Sequence, residues 1–173
     1  MNKAKQVQRQ HEKVVCDRFI VLYNTQYGFN RFGNDQDEPD CIYKSKSEIL
    51  GIEVASVYYR NIDAKQEWTV VRGERKPSKI EPSWGDVIRN PDDLMCQRIQ
   101  QEITDKCNKQ YRGASRFILC IEERAALSDE KSIKRCISQL RVPEQHIFSE
   151  IYLLHLAPLH EGGGDKNFRI YPK

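Results

Sequence analysis

Residues 116–123 read RFILCIEE, a run apolar on both sides of an extended chain. Such a run is stable as a strand when both of its faces are covered, so it predicts a central strand with packing above and below. The surrounding segments supply that cover. Residues 3–26 contain no Gly or Pro, and Val7, Val14, Val15, Phe19, Leu22 and Tyr23 recur at helical spacing, predicting a long first helix that stops at Gly28. The turn-forming stretch FNRFGNDQDEPD predicts a loop, and residues 40–44 and 48–58 predict a hairpin around the polar turn Ser45–Ser47.

Residues 60–90 hold Pro77, Pro82 and both tryptophans without a period, and predict an excursion with room for one short strand at Trp68–Val71. Asn90-Pro91-Asp92-Asp93 joins a capping residue, a proline suited to the first helical turn and two acids that complement the helix dipole. A second helix to about Tyr111 follows from it. Ser128 is expected to cap a third helix ending near Leu140, Ile147–Leu156 to form a buried strand, and FRIYP a short edge strand after the turn EGGGDKN. The expected order is helix, hairpin, helix, strand, helix, strand, strand: an α/β fold with a mixed central sheet flanked by helices, in one domain over residues 1–173.

A net charge of +3 permits a polyanionic partner without demanding one. No apolar run reaches the length of a membrane span and MNKAKQVQRQHEK lacks the apolar stretch of a signal peptide, so the expectation is a cytoplasmic protein with no membrane partner. The six cysteines, Cys16, Cys41, Cys96, Cys107, Cys120 and Cys136, form no C-x-x-C pair and are expected to be reduced core residues rather than zinc ligands or disulfides.

The chemistry concentrates in Glu38-Pro39-Asp40 and Gly51-Ile52-Glu53-Val54-Ala55. A glutamate inside an apolar strand is costly unless a cation or a set of hydrogen bonds compensates it. With an even-numbered hairpin turn, cross-strand partners sum to an odd number, which sets Asp40 opposite Glu53 or one diagonal step away, both on one face. The small Gly51 and Ala55 share that face and are expected to leave open space above the carboxylate. Two converging carboxylates suit Mg²⁺ or Mn²⁺. Glu12, three residues before Val15 and seven before Phe19, could bring a third from the first helix. A structural ion pair with Arg60 or Lys44 is the competing reading of Glu53, and a simple turn position that of Asp40.

Pro39-Asp40, twelve intervening residues and Glu53 in an apolar strand resemble the core motif of the PD-(D/E)XK phosphodiesterase superfamily, and the element order is similar to its restriction-endonuclease-like fold. The resemblance implies metal-binding roles for Asp40 and Glu53, an assisting role for Glu12, and a metal-dependent nuclease acting on DNA or RNA. It also implies a lysine two residues beyond Glu53, where this chain has Ala55. Some branches carry that lysine on the following helix, and Lys106, seven residues after Ile99 and three after Ile103, is the best-placed candidate, with Lys109 further from the apolar face. The alternative is a non-catalytic nucleic-acid-binding or protein-interaction module on the same fold.

Other motifs weigh less. His11, His146, His155 and His160 lack metal spacing and read as structural or exposed, and Gly162-Gly163-Gly164 reads as a turn rather than a phosphate loop. The run RGERKPSK at 72–79, flanked by Trp68 and Trp84, reads as a solvated basic loop that could also track a nucleic-acid backbone.

Overall fold

The structure is a computed structural model and describes residues 3–34, 36–58, 91–123, 129–156 and 164–172. Its elements are α1 (Lys3–Tyr23), β1 (Gly28–Phe32), β2 (Cys41–Lys44), β3 (Ile49–Val57), α2 (Pro91–Cys107), β4 (Arg116–Glu123), α3 (Glu130–Gln139), β5 (Glu150–His155) and β6 (Lys166–Tyr171). Among the described residues the fold is α/β, with three helices and a six-stranded mixed sheet whose strands lie side by side in chain order. β3, β4 and β5 are parallel, and the flanking pairs β1/β2, β2/β3 and β5/β6 are antiparallel. The parallel joins are those with a helix between the strands, as parallel pairing requires.

The doubly apolar RFILCIEE is β4, at the centre of the parallel part. Phe117, Leu119 and Ile121 pack with Met95, Ile99, Ile103 and Cys107 of α2 and Ile133 of α3. Ile118 and Cys120 pack with Val15, Cys16, Phe19 and Ile20 of α1. Burial on both faces is the energetic reason this strand has no polar alternation until its last two residues, since each fully buried aliphatic side chain is stabilised by roughly 1.5–3 kcal/mol. Among the described residues, no helix is long and apolar enough to cross a membrane.

The hairpin turn spans Ser45 to Glu48, with the Ser45 N–H donating to the Glu48 carbonyl at 3.0 Å. The register pairs Cys41 with Ile52 and Lys44 with Ile49, an odd sum throughout, as expected. Several expectations need correction. Gly28–Phe32 is a strand, not a loop: it is an exposed edge strand with an irregular register between Phe29 and Arg31, and so carries little apolar alternation. The observed order therefore has one strand more than the expected one. The buried stripe of α1 is Val15, Cys16, Phe19 and Ile20, whereas Val14 and Leu22 face outward.

Helix α2 stops at Cys107 rather than near Tyr111, its end tightened by a Lys109 N–H bond to the Lys106 carbonyl. Asp129, not Ser128, caps α3 among the described residues, its Oδ1 accepting the Ser132 N–H at 2.7 Å. β5 begins at Glu150, three residues later than expected. Cys96 on α2 and Cys136 on α3 form a disulfide, against the expectation of six reduced cysteines. Their separation of 40 residues gives no local spacing signal, and only helix packing brings them together. Cys16, Cys41, Cys107 and Cys120 are free and buried as expected. The expected strand at Trp68–Val71, the basic run 72–79, Trp84, Asn90 and the glycine run 162–163 lie outside the described residues.

The loop before β2 is braced at every turn. The Asn34 side-chain oxygen accepts N–H bonds from Gln36, Asp37 and Glu38, and both Glu38 oxygens accept from Arg31 at 2.7 Å. The Gly33 N–H donates to the Asp40 carbonyl at 3.1 Å, and Pro39 lies directly over Gly33 and Gly51. Space above Gly51 is thus filled rather than open, which corrects the expectation: a Cβ there would sit 2.6 Å from Pro39 Cγ and 3.0 Å from Phe117 Cδ1. The glycine lets the Pro39 ring seat on β3 and so fixes the residue after it. Gly51→Ala is expected to lower stability by about 1–3 kcal/mol through overpacking, measured by chemical denaturation, although alanine suits a strand better than glycine.

Candidate functional site

Beyond Ile52, β3 outruns its partner: β2 pairs only with Ile49–Ile52, and Glu53–Val57 continue with β4 alone among the described residues. An exposed strand edge presents backbone groups that need partners. At Val54 two side chains supply them. Asp40 Oδ2 accepts the Val54 N–H at 2.8 Å, and Lys106 Nζ donates to the Val54 carbonyl at 3.3 Å. The same Lys106 ammonium donates to Glu53 Oε1 at 2.6 Å. Side-chain hydrogen bonding thus continues the ladder where β2 ends, and the continuation is made by expected site residues.

Alternation along β3 sets Glu53 on the face with Gly51, Ala55 and Val57, toward α2. Glu53 is only 5% exposed, and the Lys106 side chain 16%. Its partner is therefore Lys106, not Lys44; Arg60 lies outside the described residues. Lys106 reaches Glu53 because Ile99, Ile103 and Cys107 turn inward on α2 and set position 106 beside that stripe. From α1, half-buried Glu12 lines the same cleft, its Oε1 accepting the Gln8 amide at 2.8 Å. The cleft walls also include His11, Asp40, Ala55, Arg98 and Glu102, and toward the loop Arg9, Asn34, Lys109 and Tyr111. Ala55 is buried there and carries no charge.

Crowding of the acids shows in their titration. Burial, then the charges of Glu53 and Glu12, push Asp40 up to about 8. Two residues earlier, Glu38 is drawn down to about 2 by its Arg31 hydrogen bonds. Glu12 is raised, by burial first and with the Glu53 charge adding to it. For Lys106, burial works against the ammonium but the Glu53 carboxylate outweighs it, and the net shift is upward. Three acids facing one ammonium leave negative charge in excess, which a proton or a cation must answer.

No family model, curated protein or solved structure matches this chain.

What the site can do follows from its own donors. Among the described residues no group of three His, Cys, Asp or Glu side chains is arranged to hold a metal ion, and Lys106 occupies one Glu53 oxygen. The carboxylate oxygens of Asp40, Glu53 and Glu12 nevertheless suit a hard divalent ion, and Mg²⁺ in particular keeps several waters and needs only one or two protein carboxylates. The upward push on Asp40 from burial and from the Glu53 and Glu12 charges is the direction a carboxylate takes among other acids.

Sequence reasoning missed several pairings. His11 is not a bystander, since its Nε2 lies 2.9 Å from Glu122 Oε2, and Ser56 Oγ donates to the same oxygen at 2.7 Å. Glu122 is fully buried in β4, a position open to the reasoning applied to Glu53. His155 likewise meets buried Glu123, at 2.7 Å. Tyr111 looked like the tail of α2, yet its ring is buried at the cleft floor. Lys109 is exposed at the rim, as expected.

Asp40 and Glu53 respond oppositely to neutralisation. Asp40 is raised from an ordinary value of 3.8, so its contribution to stability is fully present below about 4 and is lost as pH climbs through about 8. In metal-free buffer Asp40→Asn is expected to remove that loss and stabilise the protein at pH 8, by on the order of 2–4 kcal/mol. Glu53→Gln strands the Lys106 ammonium and is expected to destabilise by about 2–4 kcal/mol. Thermal unfolding from pH 4 to 9 checks both signs.

Proposed function

We propose that this chain is a metal-dependent phosphodiesterase that cleaves DNA or RNA, on a restriction-endonuclease-like variant of its α/β fold. The observation that carries the reading is the meeting of Asp40, Glu53 and Glu12 with one ammonium, Lys106, in a single cleft at the open edge of β3. Elements from three parts of the chain converge there, and the cost of gathering buried Glu53 with half-buried Asp40 and Glu12 favours a compensating cation.

Asp40, Glu53 and Glu12 are the oxygen donors for Mg²⁺ or Mn²⁺, an ion that when bound supplies Lewis-acid polarisation of a phosphate and a lower pKa for its water. Lys106 replaces the lysine absent at Ala55. Its ammonium hydrogen-bonds Glu53 from α2 and stands where it can orient water or meet charge developing on a phosphate oxygen. Arg9, Arg98 and Lys109 around the cleft offer positive charge to a nucleic-acid backbone, while the acids at its floor keep polyanions out until a cation binds. His11, held by Glu122, borders the same cleft.

The experiment is cleavage of single- and double-stranded DNA and RNA with Mg²⁺ or Mn²⁺. Activity is expected to require the metal and to fall at least 100-fold in Asp40→Asn and Lys106→Ala, each worth about 2.7 kcal/mol or more of barrier. Lys106→Ala should retain Mn²⁺ binding by calorimetry, because an ammonium is not a ligand, and Lys109→Ala should change activity little. Mn²⁺ binding without cleavage, or no binding at all with Lys106 locked on Glu53, would favour a non-catalytic nucleic-acid-binding or protein-interaction module.

A further inference from the structure

The cleft has two lobes, which meet at Gln8, Glu12, Asp40 and Lys106. One, of about 390 Å³, runs between α1 and α2 to His11, Arg98 and the end of β3. The other, of about 560 Å³, runs toward the loop before β2, past Arg9, Gln36 and Gln110. Each volume suits a single small ligand, on the scale of one nucleotide. Glu53 is buried and Lys106 largely so, and a phosphodiester that meets them has to enter the cleft rather than rest on its rim.

Positive charge stands on both sides of the acids. Arg98 is in one lobe and Arg9 in the other, where its guanidinium donates to the Gly33 carbonyl at 3.2 Å and lies 5.6 Å from the centre of the Phe32 ring. The other acids of the lobes are answered locally: Glu38 is held by Arg31, and Glu102 lies one helical turn from both Arg98 and Lys106. Gln36 and Gln110 bring exposed amides to the loop-side lobe. An amide both donates and accepts, which suits the edge of a base, whereas a phosphate only accepts.

In a double helix those base edges are paired, and drawing a nucleotide into either lobe costs unpairing and unstacking. A single strand splays its bases without that cost while cations track its backbone. We propose that the substrate of this site is a single-stranded stretch of nucleic acid, laid along the cleft with one nucleotide in each lobe and the scissile phosphodiester at their junction. This names the substrate form for the phosphodiesterase reading and rests on it. Arg98 and Arg9 receive the phosphates on either side, and Gln36 and Gln110 meet the base in the loop-side lobe. DNA and RNA strands share this chemistry. Hydrolysis adds water across one P–O ester bond and leaves a phosphate monoester on one fragment and a hydroxyl on the other.

The test compares a labelled strand, as DNA and as RNA, with the same strand annealed to its complement, in Mg²⁺ and in Mn²⁺. The single strand is expected to be cleaved about 100-fold faster or more, since opening the duplex costs a few kcal/mol. Arg98→Gln, and separately Gln36→Ala with Gln110→Ala, should each raise KM for the single strand about 10-fold, far more than they lower kcat. Arg98→Gln should also reduce the salt dependence of KM by about one counterion, and the glutamine pair should leave that dependence as it is. Cleavage of only the DNA or only the RNA strand supports the proposal and identifies the sugar that the site accepts. A duplex cleaved as fast as its single strand overturns the proposal and leaves the phosphodiesterase reading standing. Single-strand preference with KM unchanged in both variants also overturns it, because the strand then lies elsewhere. A wild type that cleaves neither form sinks the phosphodiesterase reading and this proposal with it.

Discussion

The Glu53–Lys106 ion pair is the interaction on which the site depends. A carboxylate in the middle of a buried strand can stay ionised only with an opposite charge at hand, and the ammonium at 2.6 Å supplies it. Replacing such a pair by apolar side chains is often neutral or stabilising, so its presence says little about a need for stability. Its surroundings are what support the proposed functional reading. Two further acids, Asp40 and Glu12, crowd the same cleft, and they raise rather than relieve the electrostatic cost.

The fold supports this arrangement by ending β2 early. Because β2 begins at Cys41, the residue before it is free to turn its side chain onto β3, and Asp40 bonds the Val54 N–H where a backbone carbonyl would otherwise serve. Pro39 seated on Gly51, together with the Asn34 and Arg31 hydrogen bonds around Glu38, holds that residue in place. On the far side, α2 brings Lys106 to the Val54 carbonyl. Rigid support from both directions is what a site needs if its groups are to stay within reach of one another.

Much of this was legible in the residues. The doubly apolar RFILCIEE announced a covered central strand, and the even-numbered turn announced the odd-sum register seen from Cys41–Ile52 to Lys44–Ile49. Position 106 beside an apolar helical stripe placed the lysine in the cleft. Three features were hidden for separate reasons. β1 is exposed and irregular, so it lacks the alternation that marks a strand. The Cys96–Cys136 disulfide joins helices distant in sequence. The packing of Pro39 into the space above Gly51 depends on a loop path that local residue preferences do not specify. His11 and Tyr111 escaped because a histidine or tyrosine beside an apolar stripe looks the same whether its polar atom meets a buried acid or water.

The central claim, that this acid cluster is a divalent-metal site, is tested most directly by anomalous diffraction from crystals grown with Mn²⁺. The account predicts one anomalous peak about 2.0–2.3 Å from carboxylate oxygens of Asp40 and Glu53, near Glu12, with Lys106 Nζ withdrawn from Glu53 Oε1. A map without a peak there at millimolar Mn²⁺, with Lys106 still on Glu53, would contradict it and leave the pair as a structural ion pair.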